Sequence, residues 1–578
     1  MTPTSAAPAS GAGATGAGAP DAAAGAAPGA SQRHVMIVIG ALMLGMLLAA
    51  LDQTIVATAL PTIAADLGGL NHLSWVVTSY LLTSTVATPL WGKLGDMYGR
   101  KRLFQLSIVI FLVGSALSGL SQNMAELIAF RALQGIGAGG LIVGAQAIIG
   151  DVVSPRERGR YMGYFGAVFG VTSVIGPLLG GYFTTSLSWR WVFYINVPIG
   201  AVALAVVATT LHLPRRRTEH KVDYWGVTLL SAGVTALILL STWGGTTYAW
   251  GSAQIIGLGI AGVALLAACV AVERRAAEPL LPLDLFRNGV FDLTSVIGFI
   301  VGFAMYGAIV YLPLYFQTVN GVSPTVSGLE LLPLMVGFLG MSIASGQLIT
   351  RNGKYKIYPV AGTAILAVGL YLLSTMTATT SFGLAALDML VVGVGLGLVM
   401  QVLVIAVQNA VPYRHLGTAT SLATFFRSIG GSFGVAILGA VFTGRLAAED
   451  ARYLPPAALK ALRAAGSAVS QNPAQLKTLP APVHHGFVLA FSHSLDTVFL
   501  VAVPIVVVAF AVTLFLREVP LRDTVHHGGP EGGLVPDAPG DGAAADQTGT
   551  HRPPAGAEAL DPPAGDEGDA TPSVTAPA

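Results

Sequence analysis

Charge is what this sequence has least of. Of its 578 residues only 10% are Asp, Glu, Lys or Arg, against 53% hydrophobic, and mean hydropathy is +0.69. Soluble globular chains carry about 25% charged residues, so this much apolar surface exceeds what one soluble core can hide. A polytopic membrane protein is what remains. Cysteine is nearly absent too: with Cys269 alone no intrachain disulfide can form, and the redox compartment stays open. The sequence has no G-x-x-x-x-G-K-[ST] loop, no paired metal ligands and no soluble domain, which argues against a membrane enzyme or sensor. His484, His485 and His493 have no second cluster beside them, so no metal is expected. Neither a cofactor nor a nucleic-acid partner is expected. Residues 1–33 are rich in Ala, Gly and Pro, lack the basic start of a signal peptide, and precede an apolar run too long for one. They read as a disordered cytosolic tail. Residues 524–578 hold nine acids and one Arg among Pro and Gly and read as a second tail.

What is present is a succession of long apolar runs. A spanning helix needs about 20 such residues at about 1.5 Å rise each. Fourteen stretches qualify: 35–60, 73–92, 103–121, 125–149, 160–184, 191–211, 224–243, 253–272, 291–317, 325–350, 357–377, 382–411, 417–442 and 487–516. An even number puts both tails on one side. With the tails cytosolic, inner segments hold 22 of the 30 Lys and Arg, short outer loops hold only Arg190, and the excess of inner cations orients the chain. The remaining cations are Arg131 and Arg427 inside helices and five in a long outer segment, 445–486. That segment includes "PPAALKALRAAGSAV", which suits a short amphipathic surface helix. The expectation is a multi-pass protein of the plasma (inner) membrane with both termini cytoplasmic.

One cytosolic loop concentrates charge. "GKLGDMYGRKR", Gly92 to Arg102, sets Lys93, Arg100, Lys101 and Arg102 around the single acid Asp96. Gly92, Gly95 and Gly99 let the backbone turn and approach a neighbour closely. Asp96 can offer its charge to Arg100 or to the positive N-terminal end of a helix. "GQLITRNGKYK" at 346–356 echoes this loop at the same phase of a six-helix unit, keeping Gly346, Arg351, Gly353 and Lys354 but lacking the acid. The repeat divides the chain into the tail 1–33, a six-helix half 34–212, two inserted helices within 213–278, a second six-helix half 279–520 and the tail 521–578. Two halves about a midplane site are the usual build of a secondary transporter. The spacing G-x-L-G-D-x-x-G-R-K-R resembles the loop signature of the major facilitator superfamily.

Inside the runs, ionisable residues are rare and costly. Asp52, in "LDQTIVATALP", stands well within the first helix. It is either an acid satisfied by a neighbouring hydroxyl such as Thr54, or a carboxyl that takes up and releases a proton, its pKa raised by burial and lowered by a nearby cation. Arg131, in "RALQGIGAGG", lies at similar depth and cannot lose its proton, so it can only bias its neighbours. Gly135, Gly137, Gly139 and Gly140 follow it and allow close helix approach. "GPLLGG", with Gly176, Pro177, Gly180 and Gly181, suits a bend at a helix seam. The second half offers Glu330, Asp388, Arg427 and Asp496, the last one turn from His493; for the acids the competing reading is a residue at the membrane interface reached by water. Gln134, Gln401 and Gln408, with Tyr311, Tyr315 and Phe425, are candidates for a substrate cavity or for plain packing, and Glu330, Asp388 and Arg427 are counted among the same cavity candidates.

The "GPLLGG" run resembles the antiporter motif of the superfamily, which is found in exporters rather than importers; Thr172 replaces an upstream glycine of that motif. "WRWVFYINVPIG" (189–200), whose Trp189, Trp191 and Tyr194 read as an interfacial aromatic belt, "PLLPLDLF" (279–286) and "YLPLYFQTVNGVSPTVSGLELLP" (311–333) are similar to the drug:proton antiporter family with fourteen spanning helices. The resemblance, over residues 35–520, implies an all-α membrane protein of the major facilitator fold. It implies export of lipophilic, cationic or neutral small molecules in exchange for protons. Coupling would lie at Asp52 with Arg131 and Asp496, and the cytosolic gate at Gly92, Gly95, Asp96, Gly99 and Arg100. An endogenous metabolite, amino acid or lipid is the alternative substrate. Oligomeric state is silent in the sequence.

Overall fold

Backbone N–H and C=O groups in a bilayer have no water to bond to, so the chain must satisfy them internally, and helices do so residue by residue. The computed structural model describes residues 32–67, 73–211, 223–245, 247–276, 278–459 and 480–521, and these are helical with no sheet among them. Nearly all of both expected tails and residues 460–479 of the segment 445–486, including most of "PPAALKALRAAGSAV", lie outside the described residues. The described residues belong to one compact unit, Met1–His526.

The first group of helices is α1 (Gln32–Leu67), α2 (Leu73–Tyr98), α3 (Arg100–Leu120), α4 (Met124–Val152), α5 (Pro155–Ser186), the single turn α6 (Trp191–Tyr194) and α7 (Asn196–Thr210). A pair follows, α8 (Tyr224–Trp243) and α9 (Ala253–Glu273). The last group is α10 (Gly289–Thr318), α11 (Pro324–Glu330), α12 (Leu332–Asn352), α13 (Ile357–Leu373), α14 (Phe382–Ala410), α15 (Leu416–Tyr453) and α16 (Ala481–Leu514). Twelve described helices are long and apolar enough to cross a membrane. The expected fourteen is reached only by adding α2, whose 26 residues are diluted by Ser and Thr, and α13, which is 17 residues long. Three further boundaries differ from expectation, the first being that the stretch Gly92–Arg102, expected as a loop, is helix on either side of a single break at Gly99. Residues 443–453, including the start of the expected outer segment, continue α15 as helix, and the expected span 325–350 is broken at Leu331, where Pro333 follows without an N–H to donate.

Packing repeats between the two groups. α4 lies between α2 and α3, and α14 between α12 and α13; α1 packs on α5 and α7, and α10 on α15 and α16. Glycine permits both sandwiches. A Cβ on Gly139 would stand 2.5 Å from the Ser84 carbonyl of α2, and one on Gly137 2.7 Å from the Ser107 carbonyl of α3. On α14, a Cβ on Gly393 would meet Phe338 N at 2.9 Å on α12, and one on Gly395 would meet Leu366 N at 2.6 Å on α13. Dispersion between closely apposed backbones replaces the hydrophobic effect, which is weak between helices already in lipid. Outward faces stay apolar and uncovered: Ile256, Ile260 and Val263 recur at helical spacing on α9, more than half exposed.

The groups meet through two crossed pairs, α2 with α15 and α5 with α12. At the second seam Gly159 faces Gly346, so close that a Cβ on Gly159 would lie 2.6 Å from the Gly346 carbonyl, while Gly163 faces the Ser342 carbonyl at 2.9 Å. Gly346→Val should therefore wedge this seam apart, at about 1–3 kcal/mol of overpacking. In a Cys269→Ser background, a cysteine replacing the fully buried Ser342 should then react with a water-soluble thiol reagent several-fold faster than without the valine; an unchanged rate would refute the seam.

Candidate functional site

Asp52 is fully buried on α1 and its two oxygens are saturated. Oδ2 accepts from Arg131 Nη1 at 2.6 Å, and Oδ1 accepts from Gln134 Nε2 at 2.8 Å and Asn196 Nδ2 at 3.2 Å. Arg131 is 1% exposed. It also donates to Gln134 Oε1 at 2.7 Å and to the Val76 carbonyl at 3.3 Å, and its guanidinium lies over the Tyr80 ring, 4.2 Å from the centroid. Asn196 is held in turn by the Ser115 hydroxyl at 3.0 Å. Elements α1, α2, α3, α4 and α7 thus converge on one carboxylate. Thr54 is not its partner: that hydroxyl donates to carbonyls of Leu51 at 3.0 Å and Thr172 at 3.1 Å. Taking two charges out of water costs several kcal/mol per ion unless geometry and further hydrogen bonds offset it, and here both carboxylate oxygens have donors.

The seam beside this centre joins α1 to α5. A Cβ on Gly180 would stand 2.8 Å from the Ile55 carbonyl, and Gly176 abuts the Thr54 side chain. Thr172 does not keep the helices apart, because its carbonyl accepts from Thr54 and its side chain turns back to the Phe169 carbonyl at 2.9 Å. Gly181 meets nothing within 4 Å, so close approach does not require it. Pro177 touches the other group, near Gly328.

At the basic end of the bundle, Asp96 joins two helices that are remote in sequence. Its oxygens accept from Arg100 at 2.7 Å and, across the interface, from Gly417 N at 3.0 Å, Thr418 N at 2.7 Å and the Thr418 hydroxyl at 2.9 Å. It therefore holds both partners expected from the sequence at once, caging its charge on the N-terminal end of α15, where the helix dipole favours an anion. Arg100 pairs also with Asp151 at the end of α4, and the Tyr413 hydroxyl donates to Asp151 at 2.7 Å. Gly92 permits this contact, since its Cβ would lie 2.6 Å from the Gly417 carbonyl. Gly99 adopts φ +97°, a left-handed turn that L side chains rarely adopt; Gly353, at the same phase of the repeat, adopts φ +68°. Gly95 is not crowded: its nearest neighbour would be Arg100 Cγ at 3.6 Å.

The second-group candidates do not converge on one point. Tyr311 and Tyr315 are buried, with hydroxyls donating to the carbonyls of Val435 at 3.3 Å and Thr377 at 2.6 Å. Phe425 belongs to a cluster with α8, and Gln408 reaches across to the Gln146 carbonyl at 3.1 Å. Gln401 and Asp388 are buried, and Gln401 Oε1, Gln408 Oε1 and Glu330 Oε2 have no partner. Asp496 pairs with His493 at 3.4 Å, and the Tyr453 ring stacks on that imidazole. Arg427 lies on α15 beside Gly302 and Tyr306 of α10. Trp189, read as part of an aromatic belt, is only 4% exposed; its indole donates to Asp66 at 2.8 Å, and the Trp189 and Arg190 hydrogen bonds hold that carboxyl below the usual range. Asn196, Asp151, Tyr80 and Tyr306 went unmarked in the sequence; a polar Asn within the apolar run 191–211 was the available signal for the first.

The Asp52–Arg131 pair makes a double-substitution prediction. Asp52→Leu or Arg131→Met alone leaves an uncompensated buried charge, which costs about 3–5 kcal/mol. The double variant should lose much less than the sum, read as thermal unfolding of the purified protein; strict additivity would mean the pair is not coupled.

Residues 42–435 match the family described as Major Facilitator Superfamily. An uncharacterized MFS-type transporter of Mycobacterium tuberculosis is 48% identical, the match covering 84% of this chain and 70% of the relative. Multidrug resistance protein 3 of Bacillus subtilis is 38% identical, covering 86% of this chain and 98% of that one. Among solved structures, the MFS proton:xylose symporter XylE superposes with TM-score 0.56 at 14% identity, covering 84% of this chain and 96% of that one. The family consists of transporters rather than enzymes, and this chain belongs to it as a multi-pass membrane protein: it is a transporter of the Major Facilitator Superfamily.

Proposed function

We propose that the chain is an exporter of lipophilic small molecules driven by proton exchange, lying in the plasma membrane with both termini cytosolic. The observation that carries this is the buried Asp52 carboxylate held by Arg131, Gln134 and Asn196. In this reading the carboxylate is the coupling group and Arg131 its fixed counter-ion. Protonating Asp52 would remove the charge that holds Arg131, freeing four helices to move relative to α1. The multidrug names of relatives and the glycine seam of α5 against α1 support export rather than uptake.

In this reading the two helix groups are two six-helix halves, with α8 and α9 inserted between them. The Asp96 cage on α15 and the Gly159–Gly346 seam are the cytosolic gate in its closed form, so the described state is the one open outward. A proton entering from outside would reach Asp52; closing the outer side and opening the gate would release it inward as substrate is taken up. Asp496, beside His493, is the second carboxyl on the proton's route.

The direct test is efflux of a lipophilic dye from proteoliposomes under an imposed pH gradient. Wild type should transport only with the gradient, and Asp52→Asn should lose that dependence. Gradient-driven efflux surviving in Asp52→Asn would move coupling to Asp496, Asp388 or Glu330. Substrate charge has its own signature. A charge crossing 100 mV carries about 2.3 kcal/mol, so one proton exchanged for a monovalent cation is electrically silent. Valinomycin with potassium should leave such an exchange unchanged and should alter export of a neutral substrate.

A further inference from the structure

The charged centre of the first group is internally complete, whereas that of the second is not. Arg427 sits in the middle of α15, eleven residues past its start at Leu416. Its carbonyl and Cγ pack on α10 at Gly302, where a Cβ would lie 3.1 Å from that Cγ. Among the described residues the guanidinium has neither a hydrogen bond nor an ion pair, and its electrostatic neighbour is the Tyr306 hydroxyl of α10. Tyr306 packs on Gly431 of α15 and also neighbours Tyr80, the ring beneath Arg131. Arg427 and Tyr306 therefore stand across from the first group's charged centre, on the interior side of α10 and α15.

The acids that could neutralise Arg427 are committed or distant. Asp52 is fully used by Arg131, Gln134 and Asn196. Asp496 pairs with His493 and neighbours Tyr315, two and a half turns of α10 beyond Tyr306, about 13 Å along the helix. Asp388 lies in the second turn of α14, and Glu330 ends α11, both toward the end of the bundle away from Asp96. A guanidinium at membrane depth without a counter-ion is costly, and its five donors in a planar fork match an oxyanion.

We propose that Arg427, with the Tyr306 hydroxyl beside it, is the anchor of the transport cavity and selects lipophilic molecules that carry an anionic oxygen group such as a carboxylate. This rests on the reading of the chain as an exporter of lipophilic molecules and narrows it. Arg427 donates two parallel hydrogen bonds to the anion, Tyr306 donates a third, and the apolar body of the ligand faces the aromatic and aliphatic walls of α2, α10 and α15.

The test is equilibrium dialysis with the purified full-length protein, without a pH gradient. The probes are 1-naphthaleneacetate and the trimethylammonium analogue of the same ring. Wild type should bind the anion at least ~10-fold more tightly than the cation, the range expected for hydrogen bonds to a charged group. Arg427→Gln should weaken anion binding by roughly the same factor and leave the cation unchanged, Arg427→Lys should keep the charge but lose the parallel pair and so recover only part of the loss, and Tyr306→Phe should give a smaller one. Should Arg427→Gln fail to fold, the Lys and Phe variants carry the test. Equal binding of both probes, no binding of either, or anion binding indifferent to residues 427 and 306 would overturn the proposal. Anion binding without gradient-driven export would instead count against the exporter reading, so the two failures are separable.

Discussion

A charge inside a bilayer must have a partner, and that constraint organises this molecule. Asp52 and Arg131 lie on helices 79 residues apart, yet each is the condition for the other's burial. Gln134 and Asn196 complete the shell, and the Tyr80 ring supports the guanidinium from below. Because α1, α2 and α7 each contribute one of these groups and α4 two, their relative positions are set by hydrogen-bond geometry that apolar packing alone would not specify. The hydrogen bonds around this one carboxylate thus tie most of the first helix group together.

The same economy governs the basic end. Asp96 accepts from Arg100 on its own side and from three donors at the start of α15. A helix N-terminus has unpaired N–H groups that need acceptors, and the α15 N-terminus finds one on the opposite helix group. The repeat has no acid at the corresponding position, Thr350, and there the seam is closed by backbone contact of Gly159 with Gly346 and by Arg156 donating to the Thr350 carbonyl at 3.1 Å. Close glycine packing is common to both crossed seams, and a carboxylate on a helix N-terminus is added only at the first among the described residues.

Much of this was legible before any coordinates, because membranes make polar residues conspicuous. Asp52, Arg131 and the Gly92–Arg102 loop stand out against apolar runs, and glycine spacing in 135–140 and 176–180 marked real seams. Twelve spans are plain by length and hydropathy; α2 is weaker because Ser and Thr dilute its apolar character, and α13 because it is short. What the sequence hid was pairing across distance. Asp151 carries no motif of its own and gains its role only where the end of α4 meets Arg100, and Asn196 lies inside a motif read for its aromatics. Trp189 resembled a lipid-facing belt residue, but Asp66 draws its indole inward. No periodicity reports which residues face each other between helices separated by two hundred positions.

The central claim is that Asp96, seated on the α15 N-terminus, holds the two helix groups together at the basic end. Spin labels at Tyr98 on α2 and Arg414 just before α15, both exposed there, would report the separation by pulsed electron resonance in a Cys269→Ser background. With Asp96 present, a short distance should dominate; with Asp96→Asn, a longer population should appear. Identical distributions for the two proteins would contradict the account.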